Sequence, residues 1–285
     1  MLSYFQAVVL GLLQGVTELF PVSSLGHSVI LPGLFGWTID QNANYFLTFL
    51  VATHFATALV LFFYYYEDWK RIISGIMRSL REREIKATDP DAKLGWLLIV
   101  GTIPAGIAGV LFEDRIKQLF ISPVAAACAL TLNGLLLYGA EFLRKKSAAK
   151  KIASADARIA SGISWWQAVK VGTMQIIALI PGFSRTGSTI AGGLMAGLTH
   201  EDALTFSFLL ATPIIGAAAL LKLPELLLSG GTAAISTAVV GSVAAAVAAY
   251  FSVRFLTQYF KTKTLTPFAI YCFVFGIASL ILLAR

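Results

Sequence analysis

Gln14-Gly15-Val16-Thr17-Glu18-Leu19-Phe20-Pro21-Val22-Ser23-Ser24-Leu25-Gly26-His27 interrupts hydrocarbon-like sequence on both sides, Met1 to Leu13 before it and Ser28 to Trp37 after it. It brings a carboxylate, two hydroxyls, an imidazole and a helix-breaking proline into an apolar setting. A second stretch, Pro181-Gly182-Phe183-Ser184-Arg185-Thr186-Gly187-Ser188-Thr189, is out of place in the same way and sets a guanidinium between two apolar runs. A charge at such depth costs about 2.5–3.5 kcal/mol on insertion scales. The expectation is that the two stretches meet inside a membrane and form one anion site.

The rest of the chain supports the membrane. Of its 285 residues 57% are hydrophobic and 13% charged, and the mean hydropathy is +0.78. A soluble domain carries about 25% charged residues. No polar linker is long enough to separate a pair of soluble domains, so residues 1–285 read as one integral membrane domain. The apolar N-terminus lacks a basic n-region and a clear small-residue cleavage site, so it does not read as a removable signal peptide. The net charge of +7 invites a nucleic-acid reading. That reading fails, because the basic residues sit in loops between spans, where membrane orientation demands them. Cys128 and Cys272 lie in apolar runs and suggest neither a disulfide framework nor a metal site.

Apolar runs near 45–66, 94–112, 119–142, 204–222, 234–256 and 266–284 meet the roughly 20-residue requirement for a span. Four further runs are compromised. Segments 2–20 and 165–181 lead into prolines, and segments 24–36 and 184–198 follow those prolines and are too short to cross alone. Sixteen of the 22 basic residues fall in loops 67–93 and 144–158 and in the turn near 254–263. The loops near 38–44, 113–118 and 222–233 hold only Arg115, Lys117 and Lys222. The basic set therefore faces the cytoplasm, and both termini face outside.

An internal repeat follows. Thr48-Phe49-Leu50-Val51-Ala52-Thr53 resembles Ser207-Phe208-Leu209-Leu210-Ala211-Thr212 at an offset of 159 residues, and Pro21 to Gly26 resembles Pro181 to Gly187 at 160 or 161. The halves cover about 1–143 and 164–285, joined by a basic cytoplasmic linker, 144–163. If each broken pair is a hairpin that enters and returns, the two enter from opposite faces. The fold expected is an all-α polytopic membrane protein. It has six spanning helices plus two re-entrant helical hairpins, about ten helical segments in all, arranged as an inverted-topology repeat. Such repeats place their site at the midplane, where broken helices meet.

Glu18 is the only carboxylate deep in an apolar run, because Glu141 lies near the basic end of its span. It would hold a cation or move a proton; the alternative is a neutral structural glutamate. Gln14 lies one helical turn earlier on the same face. Ser23, Ser24 and His27 follow Pro21. Ser24 can be a nucleophile with His27 as its base or orienter; the alternative is an ordinary serine cap beside a packed histidine. Arg185 suits a phosphate by its planar fork, with Ser184, Thr186, Ser188 and Thr189 around it and the amides of a helix start aimed at the same anion. The alternative is a structural Arg185–Glu18 ion pair. His54 reads as a core histidine, His200 as solvated capping in Thr199–Asp202, and Phe62–Tyr66 and Trp165-Trp166 as interfacial aromatics. Asp89 and Asp91 lack the other ligands of a calcium loop.

Together these residues resemble the undecaprenyl-pyrophosphate phosphatase family, the bacterial membrane enzymes linked to bacitracin resistance. The family's PGxSRSxxT pattern appears as Pro181 to Thr189, its (E/Q)xxxE pattern as Gln14 to Glu18, and its PVSSxGH stretch as Pro21 to His27. The resemblance covers nearly the whole chain. It implies hydrolysis of undecaprenyl diphosphate on the outer side of the plasma membrane with a divalent cation, Mg²⁺ or Ca²⁺, and it is compatible with a homodimer. It implies functional roles for Glu18, Ser24, His27, Ser184, Arg185 and Thr189. Gln14 in place of an acid leaves one fewer negative charge for a metal, so the acidic ligand left in that pair is Glu18; Thr186 replaces a serine and keeps the hydroxyl. The competing class is a transporter or lipid flippase, in which Glu18 carries a proton and Arg185 clamps the anion.

Overall fold

The computed structural model describes residues 1–41, 43–112, 122–144, 155–229 and 231–284. Among them are twelve helices and no strand: α1 Tyr4–Thr17, α2 Ser24–Leu34, α3 Asn44–Tyr64, α4 Tyr66–Glu82, α5 Pro90–Leu111, α6 Pro123–Leu143, α7 Ala155–Gly162, α8 Trp165–Ile177, α9 Arg185–Ala196, α10 His200–Ser229, α11 Gly231–Tyr259 and α12 Thr266–Leu283. Six of these, α3, α5, α6, α10, α11 and α12, are long and apolar enough to cross a membrane. They coincide with the six runs expected from composition. Helix α1, with 14 residues, spans about 21 Å at 1.5 Å per residue. That is short of the roughly 30 Å hydrocarbon core, and α2, α8 and α9 are shorter still.

The two broken pairs start and stop for the same local reasons. Ser3 caps α1 and Ser164 caps α8, each in a reciprocal box with a glutamine, Gln6 or Gln167, three residues on. These four residues, with Ala7/Ala168, Gly11/Gly172 and Gln14/Gln175, recur at an offset of 161. The correspondence is stronger than either apolar match, because it rests on caps and close approaches. A Cβ on Gly11 would lie 2.3 Å from the carbonyl oxygen of Gly241 in α11, and one on Gly172 would lie 2.0 Å from that of Gly101 in α5. So α1 packs backbone to backbone on α11 as α8 packs on α5. Several other contacts exchange in the same sense. Helices α1 and α2 touch as α8 and α9 do, α2 touches α12 as α9 touches α6, and α3·α10 and α6·α12 pair across the centre.

Four loop expectations change. The basic stretch 67–93 is not all loop: Tyr66–Glu82 is helix α4, because its polar and apolar residues alternate with helical period around one strongly two-faced cylinder. Arg78 pairs with Asp89 at 2.9 Å, and Trp96 Nε1 donates to Ser79 Oγ at 2.9 Å, docking α4 on the start of α5. Lys222 lies inside α10 rather than in a loop, and Arg254 inside α11, because both helices run past their hydrophobic stretches. Within the basic linker 144–163, the described residues include α7, held by Arg71–Asp156 at 2.5 Å while Arg158 pairs with Asp202 at 2.9 Å. Arg115, Lys117, Lys145, Lys146, Lys150 and Lys151 lie outside the described residues.

The backbone contact at Gly172 is testable. Gly172→Leu should force α8 off α5 at a cost of about 1–3 kcal/mol or more and lower the melting temperature in detergent by several degrees. Gly106→Ala, where a Cβ meets nothing within 4 Å, should not lower it.

Candidate active site

The chain leaves the helix after Thr17 and re-enters it at Ser24; it leaves again after Ile177 and re-enters at Arg185. Each re-entry is capped by a serine. Ser23 Oγ accepts from Gly26 N at 3.2 Å, and Ser184 Oγ accepts from Gly187 N at 3.0 Å. Ser24 and Arg185 are therefore the first residues of equivalent helices, and both helix N-termini carry partial positive charge. Ser23 sits at φ 70°, a conformation costly for a side chain outside glycine. It is held there because its Oγ also accepts from Gly182 N at 3.2 Å, while its carbonyl receives His27.

The two loops are stitched to each other and to α6. Thr186 Oγ1 donates to the Glu18 carbonyl at 2.8 Å. Asn133, fully buried in α6, donates from Nδ2 to the Pro21 carbonyl at 3.1 Å and accepts the Ser184 amide on Oδ1 at 3.0 Å. One side-chain amide thus braces both breaks. Gly182 lies so close to α6 that a Cβ would fall 2.3 Å from the Ala126 carbonyl oxygen, and its φ of 109° also excludes most side chains.

Glu18 is the hub. Its Oε1 receives Arg185 Nη2 at 2.7 Å. Its Oε2 receives the Ser24 hydroxyl at 2.5 Å and Gln14 Nε2 at 3.2 Å, and lies 3.2 Å from His54 Nε2. His54 is oriented by Nδ1, which lies 2.7 Å from the Leu50 carbonyl one turn earlier. Two buried polar atoms in this group have no protein partner: Nη1 of Arg185, a donor, and Oε1 of Gln14, an acceptor. The group stands at the head of a cavity of about 310 Å³, whose polar end is formed by Glu18, Ser23, Ser24, His54, Ser184 and Arg185. Its other walls are apolar, Leu25, Leu47, Leu50, Leu179 and Ile214 among them.

Of the expected site residues, Gln14, Glu18, Ser24 and Arg185 come together, Ser23 and Ser184 join them in the cavity lining, and Thr186 fixes the backbone beneath Glu18. Thr189 lies behind the site, its hydroxyl 2.5 Å from Ser207 Oγ and donating to the Arg185 carbonyl at 2.9 Å. His27 does not line the cavity. Its Nδ1 lies 2.6 Å from the Ser23 carbonyl and its Nε2 2.8 Å from Tyr271 Oη, and it stacks on Phe275. The spacing paired Ser24 with His27; the structure pairs Ser24 with Glu18, because the carbonyl of Ser23 draws the imidazole toward α12.

Two other histidines differ from expectation. His54 is a site residue rather than a packed core residue. An ionisable group on the same face as Leu47, Leu50 and Val51 needed a polar partner in hydrocarbon, and that need was the signal for it. His200 is buried rather than solvated, 2.8 Å from Glu141 and stacked on Phe260. The Arg185–Glu18 pair exists, yet it leaves a guanidinium nitrogen unspent, so the pair and an anion site are compatible. Among the described residues no three His, Cys, Asp or Glu side chains gather as a metal nest. Gln14 Oε1 is free, while both Glu18 oxygens already have partners, Arg185 on Oε1 and Ser24 and Gln14 on Oε2. That donor set suits a hard cation that brings phosphate ligands with it and keeps few protein ones.

The Asn133 brace makes a prediction of its own. Asn133→Leu strands the Pro21 carbonyl and the Ser184 amide, at about 1–3 kcal/mol for each group, and should lower thermal stability accordingly. Asn133→Asp keeps the acceptor for Ser184 but sets a second acceptor against the Pro21 carbonyl and buries a charge, so it should not restore the melting temperature.

Known proteins resemble this chain along nearly its whole length. The family model described as bacitracin resistance protein BacA matches residues 7–278. An undecaprenyl-diphosphatase of Mycolicibacterium paratuberculosis is 48% identical, over 99% of this chain and 98% of that protein. The undecaprenyl-diphosphatase 2 of Burkholderia thailandensis is 45% identical, over 98% of this chain and 96% of its own. The undecaprenyl-diphosphatase 2 of Frankia alni is 40% identical, with 96% of each chain covered. With a family model matched from residue 7 to 278 and relatives at 40–48% identity over nearly their full length, the chain belongs to the bacitracin resistance protein BacA family.

Proposed function

We infer that the protein is an undecaprenyl-diphosphatase. It hydrolyses undecaprenyl diphosphate to undecaprenyl phosphate and inorganic phosphate, which recycles the lipid carrier of cell-wall synthesis and confers resistance to bacitracin. The observation that carries this reading is a serine hydroxyl held on a buried carboxylate, beside a guanidinium with a free nitrogen, at the head of an apolar-walled cavity. The substrate has the matching division: a diphosphate head and a long isoprenoid tail.

Phosphoryl transfer needs chiefly positioning and charge neutralisation. Arg185 Nη1 and the N-terminal amides of α2 and α9 receive the diphosphate oxygens. Ser24 Oγ then attacks the terminal phosphorus. The new Oγ–P bond forms as the bridging P–O bond breaks, undecaprenyl phosphate leaves, and the Ser24 proton passes to Glu18 Oε2. In the second step water attacks the phosphoserine. The Oγ–P bond breaks, Ser24 takes its proton back from Glu18, and dihydrogen phosphate departs with both protons of the water. The carboxylate is restored. Gln14 and His54 hold Glu18 Oε2 toward Ser24 from two sides, and Ser184 and Thr189 support the α9 start. His27, engaged by Ser23 and Tyr271, keeps the strained Ser23 turn in shape. Glu18 and Gln14 Oε1 would hold a divalent cation, Mg²⁺ or Ca²⁺, together with the substrate's own phosphates, and its charge would supply neutralisation there.

The protein is a multi-pass membrane protein. The basic stretches 67–93 and 144–158 argue for a cytoplasmic face there, with both termini outside; lining by Leu47 and Leu50 near the start of α3 and Ala218 and Ala219 in the far half of α10 supports a cavity opening to the outer side. The exchange of contacts between the halves supports an inverted repeat. The same symmetry would serve a carrier that moves the lipid, and a homodimer is compatible with the exposed apolar faces.

Purified protein in detergent has one compartment, so phosphate release from undecaprenyl diphosphate separates hydrolysis from transport. Arg185→Ala and Ser24→Ala should each cut release by about 10²–10³-fold, and a phosphorylated Ser24 should be trapped in wild type. Full turnover by Ser24→Ala would remove it as the nucleophile. Chelator should abolish release and added Mg²⁺ or Ca²⁺ restore it; chelator-insensitive turnover would exclude the cation.

A further inference from the structure

Helix α4 has more apolar surface than the protein covers. One side is spent on α5. Ile72, Gly75 and Ser79 are buried, and a Cβ on Gly75 would lie 2.4 Å from the Ala92 amide. More than a third of a turn around the helix a second apolar stripe stands open. Ile73, Met77 and Leu80 fall at helical spacing i, i+4 and i+7 and are 49%, 62% and 54% exposed. Tyr66, on the same line at the start of the helix, extends it. Lys70 and Arg81, both exposed, stand along one edge of this stripe, and Ser74, Glu67 and Glu82 lie farther round.

The position of the helix says what covers it. A single residue, Tyr65, separates α4 from the end of spanning helix α3; Tyr65 is buried in the core rather than interfacial, whereas Tyr64 and Tyr66 on either side are exposed and of the kind that settles at the headgroup level. So α4 begins where a span leaves the hydrocarbon. A half-apolar helix of net polar character at that level, with basic side chains beside the apolar stripe, has the pattern of a helix lying in the bilayer surface. A second copy of the chain fits poorly, because a symmetric contact would set Lys70 and Arg81 against themselves. Lys70 does contact Glu67 at 3.1 Å, but an exposed pair of this kind holds the ammonium weakly.

We propose that the Ile73–Met77–Leu80 stripe of α4 is a lipid-docking surface that lies between headgroups and acyl chains on the side the basic loops face, with Lys70 and Arg81 on the phosphates of anionic phospholipids. The long stems of both side chains cover apolar surface while their heads reach the phosphate plane. Docked there, α4 ties α3 to α5 and, through Arg71 and Asp156, to α7.

The test uses the full chain in bilayers, in a Cys128→Ser, Cys272→Ala background, with nitroxide labels on single cysteines introduced by Ile73→Cys, Met77→Cys, Leu80→Cys, Ser74→Cys or Glu82→Cys. Labels at 73, 77 and 80 should collide with oxygen more than with a water-soluble nickel chelate, and labels at 74 and 82 the reverse. Phosphatidylglycerol should be enriched over phosphatidylcholine around the label at 77. Lys70→Gln and Arg81→Gln should each lower that enrichment, by up to about fivefold per charge. Nickel access at 73, 77 and 80 would overturn the proposal. So would protection that appears only as protein density in the bilayer rises, which marks a second copy, or enrichment indifferent to both substitutions.

Discussion

A carboxylate and a guanidinium buried in hydrocarbon are each too costly to keep alone, and in this protein each is the other's partner. Glu18 and Arg185 are 167 positions apart in the chain and reach one another because two helices are broken at matching places. Removing one member of such a pair leaves an uncompensated charge, a loss of about 3–5 kcal/mol. The pair therefore obliges the two halves to assemble in one register. Because the guanidinium has more donors than the carboxylate uses, the same contact that holds the halves together leaves capacity for a phosphate.

The remaining structure keeps these two breaks rigid. Irregular backbone at membrane depth survives only when its polar groups are satisfied by protein or line a wet cavity. Ser23, Asn133 and Thr186 meet that demand with side-chain bonds to the opposite loop. The glycine contacts of α1 on α11 and α8 on α5 set the helices close enough for those bonds to form. Stability and positioning thus share the same hydrogen bonds, as suits a site whose chemistry depends on the placement of one hydroxyl against one phosphorus.

The cavity also accounts for an enzyme working on a lipid. Its polar end is small and holds nearly all of the charge, and its apolar walls let an isoprenoid chain remain in a medium like the bilayer. The helix lying beside α5 contributes nothing to that chemistry and makes its contacts with the membrane surface instead.

Much was legible in the sequence, for a definite reason. Hydrophobic runs of spanning length are local, so all six long helices follow from composition. Charges in such runs are conspicuous, so Glu18 and Arg185 stand out, as do the prolines that break their helices. The motif residues Gln14, Ser24 and Ser184 follow from their neighbourhood, but partnership across space does not. The spacing of Ser24 and His27 suggested a pair, while the backbone carbonyl of Ser23 turned the imidazole toward Tyr271 and left the hydroxyl to Glu18. His54 looked like a core residue because its partner is 36 positions away in the chain, and Asn133 carried no mark of joining two loops. The sequence alone determined which segments enter the membrane and which side chains cannot stay there unpaired. Only the tertiary structure decided which of them meet, because hydrogen bonds need directions and distances that helix packing supplies and periodicity does not.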